Sequence, residues 1–225
     1  MVAAIPFAYW QAASGGGGGG SAPTIVEAVA ATDSSGGSGD SITIGFTANV
    51  TAGQYVLLFA ISGDQASNSM LTPSGFTQLY GDNTYWGVYA KKMVGNEGNL
   101  FSISEIQTAG ILVGIKISGV NSTPLDVSAS AGAVATGSSV TTTAANTLLF
   151  SVWMTGVNVT PTLPSGWTLV TLAGAGVNPQ FVNSAHGGPV RMMLAYQTQA
   201  AAGACGTQNW VSACSKSIVT IAVKP

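Results

Sequence analysis

The 225-residue sequence predicts an all-β protein: a jelly-roll-like β-sandwich with an internal pseudo-two-fold repeat, preceded by an extended N-terminal arm. Three observations predict it. Short runs rich in Val, Ile, Phe and Tyr recur between turns marked by Gly and Pro. No stretch of ten residues or more carries apolar residues at the helical period. A block also occurs twice. Thr72-Pro73-Ser74-Gly75-Phe76-Thr77-Gln78-Leu79 returns as Leu163-Pro164-Ser165-Gly166-Trp167-Thr168-Leu169-Val170, a spacing of 163 − 72 = 91. The same offset carries Leu57-Leu58-Phe59-Ala60 onto Leu148-Leu149-Phe150-Ser151. A repeat on this scale decides architecture before any single residue does.

Taken in order, Thr24 to Ala31 reads as the first strand, and the loop from Thr32 to Asp40 follows from its Gly, Ser and Asp content. Ser41 to Thr47 sets Ile42, Ile44 and Phe46 against Ser41, Thr43 and Gly45, the alternation of a half-buried strand. Tyr55 to Ile61 is a continuous apolar run between Gly53 and Gly63, which predicts a central strand. Pro73-Ser74-Gly75 is a turn that launches a strand from Phe76 to Tyr80. Tyr85 to Met93 is rich in β-formers, and Gly95 to Gly98 predicts a tight hairpin into Leu100 to Ser104. Ile111 to Ser118 places Ile111, Val113, Ile115 and Ile117 on one face and Leu112, Gly114 and Lys116 on the other. Leu125 to Ser130 is a weaker strand after the turn at Asn121 to Pro124.

The second half repeats the order, with Thr147 to Thr155 and Trp167 to Leu172 as the counterparts of the Tyr55 and Phe76 strands. Its end matches at a new offset. Leu112 to Ile117 corresponds to Ile218 to Val223 (218 − 112 = 106), and Val88 to Lys91 corresponds to Leu194 to Gln197. The change from 91 to 106 locates an insertion between Leu172 and Val190. The predicted organisation is an arm with a glycine linker over residues 1–22 and a β-sandwich over 23–225, its halves spanning about 41–126 and 138–225. No linker separates the halves, which favours one sandwich over two in tandem.

The arm is apolar from Met1 to Ala13, but no Lys or Arg precedes Lys91 and Pro6 interrupts the run, so a secretory signal is not indicated. It is also far shorter than the ~20 apolar residues that span a bilayer. Gly15 to Gly20 form an unbroken run. Ordering such a run costs much conformational entropy, so the arm is expected to lie against partner subunits, with Ile5, Phe7, Tyr9 and Trp10 as its anchors.

Composition narrows the chemistry. Charged residues make up 6% of the chain, against about a quarter in ordinary domains. A net charge of −2 offers no basic face for nucleic acid. All eight acids lie at or before Asp126, and the only histidine is His186 in a Gly-rich loop, so no catalytic triad or carboxylate pair is indicated. His186, Cys205 and Cys214 fit no zinc spacing. Asp33, Asp40, Asp64 and Asp82 lie in loops but form no calcium-loop motif. No cofactor, metal or enzyme activity is expected. Cys205 and Cys214, nine residues apart around a predicted hairpin loop at Ala200 to Gly206, suit either a disulfide or two packed thiols. Phe76 and Trp167, at equivalent repeat positions, read as core plugs. Tyr85, Tyr89 and Lys91 fall on one strand face, which could meet a ligand or another subunit.

The LLFA-type strand, the Pro-Ser-Gly-Phe/Trp-Thr turn, the tyrosine strand ending in Lys91-Lys92, the Asn96-Glu97-Gly98 turn, and Ile111 to Asn121 followed by Pro124-Leu125-Asp126 together resemble β-sandwich virion proteins of tailed bacteriophages. The resemblance covers roughly residues 40–225 and rests on short motifs. It implies a fibre, tail or capsid-decoration subunit, often a homotrimer, assembled in the host cytoplasm among other virion proteins. It also implies, in some members, a surface that binds host glycans, and no catalytic residues. Gln197 and Thr198 replace Lys91 and Lys92 in the second copy, and Ala200 to Gly203 lacks the acid of Glu97, so any role for those charges belongs to the first half. The expected function is a structural virion component anchored by its arm, with a receptor- or glycan-binding module for host attachment as the alternative.

Overall fold

The computed structural model describes residues 20–33, 40–63, 70–82, 84–106, 110–174, 182–184 and 190–225. Every regular element in them is a strand. Residues 24–118 supply β1 (Thr24–Asp33), β2 (Asp40–Gly45), β3 (Tyr55–Ser62), β4 (Thr77–Gly81), β5 (Trp86–Lys92), β6 (Leu100–Ile106) and β7 (Gly110–Ser118). Residues 125–223 supply β8 (Leu125–Ala131), β9 (Thr136–Gly137), β10 (Thr141–Thr142), β11 (Thr147–Thr155), β12 (Thr168–Leu169), β13 (Val182–Ser184), β14 (Val190–Gln199), β15 (Gly203–Ala204), β16 (Gln208–Asn209) and β17 (Ser217–Val223).

Two antiparallel sheets form the centre. The first runs β1-β7-β3-β5-β4, and the second runs β8-β17-β11-β14-β12, with β13 also on β14. Between them lies the largest core, built from alternate residues of each strand: Leu57, Phe59, Val113 and Ile115 from the first sheet, and Phe150, Val152, Val219 and Ile221 from the second. This is the β-sandwich that the apolar runs predict.

The sandwich has outer layers as well. The back of the first sheet (Val56, Leu58, Tyr89, Leu112) packs under β2 and β6, which pair with each other and contribute Ile42, Ile44, Phe101 and Ile103. The back of the second sheet (Leu149, Trp153, Met193, Ile218) packs under a cover containing Val140, Trp167 and Trp210. The short pairs β10–β15 and β9–β16 run through that part of the chain. Burial on both faces explains why β3, β11 and β17 are buried at every position. Such strands read as continuous apolar runs and not as an alternation.

Two expected hairpins are not formed. β5 pairs with β3 and β4, whereas β6 pairs with β2, so the Gly95–Gly98 connection passes from one layer to another. Likewise β15 and β16 pair with β10 and β9 and not with one another. In both places the loop chemistry was compatible with a tight turn, but burial of Phe101 and Ile103, and of Trp210, is satisfied only by crossing to the outer layer.

A strap ties the halves together. After β12 the chain buries Val170 in the central core and reaches the open edge of β1. There the Ala30 N–H donates to the Ala173 carbonyl (2.7 Å) and the Ala173 N–H donates to the Ala28 carbonyl (3.1 Å), a parallel bridge that blunts the edge. Gly174 has φ +129, and any Cβ there would run into the Ala30 carbonyl oxygen. Only glycine allows the backbones to meet this closely. On the opposite side, the Lys92 ammonium pins the connection between the halves, donating to the carbonyls of Val120 (3.1 Å) and Asn121 (2.8 Å) and to that of Gly53 (2.7 Å).

Gly174→Val is expected to detach the strap and cost about 2–4 kcal/mol in chemical denaturation. Gly53→Ala, at φ +89 with open space around it, carries only the left-handed backbone penalty of about 1 kcal/mol. Equal losses in the two variants would show that the strap does not hold the edge.

Candidate functional site

The face expected from Tyr85, Tyr89 and Lys91 does not form. Tyr85 precedes β5 in a turn that Asp82 organises: its Oδ1 accepts the backbone N–H groups of Thr84 (2.9 Å), Tyr85 (2.8 Å) and Trp86 (3.3 Å). The Lys216 ammonium, from the second half, sits 3.4 Å from the centre of the Tyr85 ring. Tyr89 is fully buried behind the first sheet, its hydroxyl lying where a Cβ on Gly87 would have to be. Burial, together with the Asp82 charge, pushes its phenol pKa up. The alternation placed these side chains on one side of the strand, but that side is roofed by β2 and β6.

Lys91 is half-buried at the Pro73–Phe76 turn. It pairs with Glu97, lies 5.8 Å from the centre of the Phe76 ring and covers Gly75. The Lys91 ammonium holds the Glu97 carboxyl below the usual carboxylate range, against some opposing desolvation. Phe76 stacks edge-on against Phe101, and Phe101 against Phe46, both at 5.8 Å, so the turn is tied to the core by a row of rings. Trp167 is buried at the equivalent turn, in keeping with its reading as a core plug, and Phe76 is partly buried. Trp153 and Trp210 are fully buried, donating to the Ser212 carbonyl (3.0 Å) and to the Ser151 hydroxyl (3.1 Å).

Two carboxylate clamps were not singled out by sequence reasoning. Glu27, on β1, accepts the Thr47 N–H (2.8 Å) and hydroxyl (3.1 Å) and pairs with Lys116 at 2.9 Å. Lys116 is 3% exposed, donates also to the Ala48 carbonyl (3.2 Å) and lies 5.0 Å from the Phe46 ring centre. Burial works against the Glu27 carboxylate, but the Thr47 N–H, Lys116 and the Thr47 hydroxyl outweigh it, and its pKa is lowered. Asp126, on β8, takes the Thr143 N–H (2.7 Å) and hydroxyl, with the Lys224 ammonium 4.0 Å away. A signal was available: a lysine inside the apolar run of β7 must find a counter-charge if both faces of that strand are buried.

The remaining cations are also held within the chain. Lys92 donates to three carbonyls, and its burial lowers its pKa. Arg191 donates to the Val159 carbonyl (3.0 Å) and the Thr160 hydroxyl (3.1 Å). Each of the six Lys and Arg side chains in the sequence therefore has a partner within the chain.

Cys205 and Cys214 are free thiols. The expected hairpin would have opposed them, but β15 and β16 belong to separate pairings. Cys205 Sγ accepts the Val140 N–H (3.4 Å), while the Cys214 thiol donates to the Gly132 carbonyl (3.4 Å). Burial raises the Cys214 pKa. Among the described residues no three His, Cys, Asp or Glu side chains are grouped to hold a metal. His186, Asp64 and the arm anchors Ile5, Phe7, Tyr9 and Trp10 lie outside the described residues, as do the side chains of Asp33 and Asp40.

Among known proteins, no family model, no curated protein and no solved structure matches the chain.

Glu27 has a depressed folded-state pKa, so its contribution is present above the ordinary value of 4.5 and is lost as pH falls through the folded value. Glu27→Gln strands the buried Lys116 charge and is expected to cost about 3 kcal/mol at neutral pH. The gap to wild type should close below the folded pKa. A gap that is constant from neutral to acid pH would mean that the carboxylate charge contributes nothing. For the thiols, alkylation of the denatured, unreduced chain is expected to modify both cysteines, and reductant should leave the melting temperature unchanged. Failure to alkylate without reductant would establish a disulfide.

Proposed function

We propose that this chain is a structural component of a phage virion, a fibre, tail or capsid-decoration subunit attached to the particle by its N-terminal arm. The observation that carries the reading is the internal pairing of every Lys and Arg side chain. A free protein keeps its charges in water for solubility, whereas a subunit packed among others gains from a surface without unpaired cations. The resemblance of the Pro-Ser-Gly turns and the Ile111 to Asp126 run to phage β-sandwich proteins points the same way. Host attachment through an aromatic face is the weaker alternative, because Tyr89 is buried and Tyr85 lies beneath Lys216.

The same proposal extends to the architecture. The halves are read as two copies of one jelly-roll-like plan, in which the chain alternates between a wide sheet and its cover. β1, β3, β5 and β7 correspond to β8, β11, β14 and β17, and the strand orders of the two sheets support this. So do the β-bulges at equivalent places: Ile25 faces Ile117 before one, and Leu125 faces Val223 before the other. Register refines the alignment. Leu57 faces Ala90 and Ile115, whose counterparts at an offset of 106, Tyr196 and Ile221, both face Phe150. The shared Leu-Leu-Phe motif thus sits two residues from the pairing equivalence. A slide of two preserves which side chains face the core.

Removal of residues 1–19 tests the functional reading. The truncated protein is expected to keep its melting temperature but to be missing from purified particles. Incorporation at the wild-type level would sink the anchoring role.

A further inference from the structure

We propose that the open edge of β8, with the groove between β8 and β4, receives the N-terminal arm of a neighbouring copy as an added strand. β4 and β8 each end their sheet on the same side of the sandwich. Between them a groove reaches the edge of the central core, lined by Tyr55, Thr77, Leu79, Ala90 and Leu125. On the far side of the sandwich the strap closes the corresponding gap: Leu172 packs on the core and Ala173 bridges to β1. Ala173 and Gly174 fall in the insertion, which residues 24–118 have no counterpart for. There β4 returns to β5 through the Asp82 turn, and among the described residues no strand lies on the outer edge of β8.

The edge of β8 is built like the covered edge of β1. Ala28 and Ala30, whose carbonyl and N–H hold the strap, face Ile115 and Val113. The offset of 106 carries those two onto Ile221 and Val219, which face Ser128 and Ser130. Ser128 and Ser130 thus turn a carbonyl and an N–H outward as Ala28 and Ala30 do, because bonding direction alternates along a strand. The side chains differ as their exposure requires: Ala28 and Ala30 are buried, whereas Ser128 is half-buried and Ser130 exposed. The inference rests on the correspondence of the halves and on the attaching role of the arm, both proposed above.

The occupant must be extended, apolar and uncharged. Lys91 and Lys92 at the groove are already held by Glu97 and by three carbonyls, so neither calls for an anion. Residues 1–19 meet the requirement: no charged residue precedes Glu27, and an extended chain puts Ile5, Phe7 and Tyr9 on one face. Direction assigns the arm to a neighbour. A segment placed as the strap is runs parallel to β8 and leaves at its Ala131 end. The chain's own arm joins the body at the other end, where Gly20 lies beside Pro225 and Val223 faces Leu125. Returning along β8 takes about 20 Å, which is all that Gly15 to Gly20 span when fully extended, with nothing left for the turn.

The test is photo-cross-linking of the full chain, with a benzophenone amino acid in place of the exposed Thr77 at the groove. Equal amounts of heavy-nitrogen-labelled and unlabelled protein are mixed at about 100 µM, which populates association with a Kd of that order. The cross-linked peptides are expected to come from residues 1–19 and to join labelled to unlabelled chains. Ser130→Pro removes the N–H that would bond the incoming strand, at an edge position where proline is tolerated, and should lower the cross-link yield at least about threefold. If S130P lowers the melting temperature, S130K repeats the test with a charge that blunts the edge. Cross-links that avoid the arm, that join only chains of like label, or that persist undiminished in both variants would each overturn the proposal. Incorporation into particles is a separate readout: its loss on removal of residues 1–19, with no arm cross-link at Thr77, would overturn this docking site and leave the anchoring role standing.

Discussion

A strand buried on both faces has no side on which to place a charge in water. The two central sheets are built from such strands, and much else in the molecule answers to that condition. It requires outer layers, because a sandwich of two sheets alone would leave the backs of β3, β7, β11 and β17 wet. It also fixes what those layers contain. The first is a regular strand pair carrying Ile and Phe, and the second is irregular and carries Trp167 and Trp210. Bulky indoles with a polar N–H suit irregular chain, since their donors can find nearby oxygen atoms.

The same condition governs the ions. Lys116 is tolerated in β7 only because Glu27 and the Ala48 carbonyl meet it, and Glu27 is held in turn by Thr47. On the second sheet, Asp126 of β8 is held by Thr143, with the Lys224 ammonium 4.0 Å away. Buried ion pairs contribute little net stability, but breaking one is costly. The clamps therefore act chiefly to fix where edge strands sit.

The central strands were legible because continuous apolar runs bounded by glycine have few other outcomes. The β7 alternation, Ile111 to Ile117 on one face, matches the core assignment residue by residue. Layer assignment was not legible. Tyr89 and Lys91 share a side of β5, yet Tyr89 is fully buried while Lys91 keeps 22% of its side chain exposed at the turn that carries Gly75 and Phe76. Hairpins at Gly95 and Ala200 were inferred from turn composition, which reports that the chain turns and not which strand it then meets. The thiols were undecidable for a related reason: nine residues of separation say nothing once the intervening strands pair elsewhere.

The placement of β1 bears on how the molecule carries load. The strand follows directly on the arm and runs antiparallel to β7 from Thr24 opposite Ser118 to Asp33 opposite Gly110, with the Ala173 strap on its other edge. Tension applied along its axis through the residues before Thr24 would be shared by the whole ladder in shear. Peeling, which breaks one hydrogen bond at a time, would need a pull across the strand. A tether joined to this edge strand passes its force lengthwise into the ladder with β7 and so into the first sheet, as a root passes wind load into the trunk.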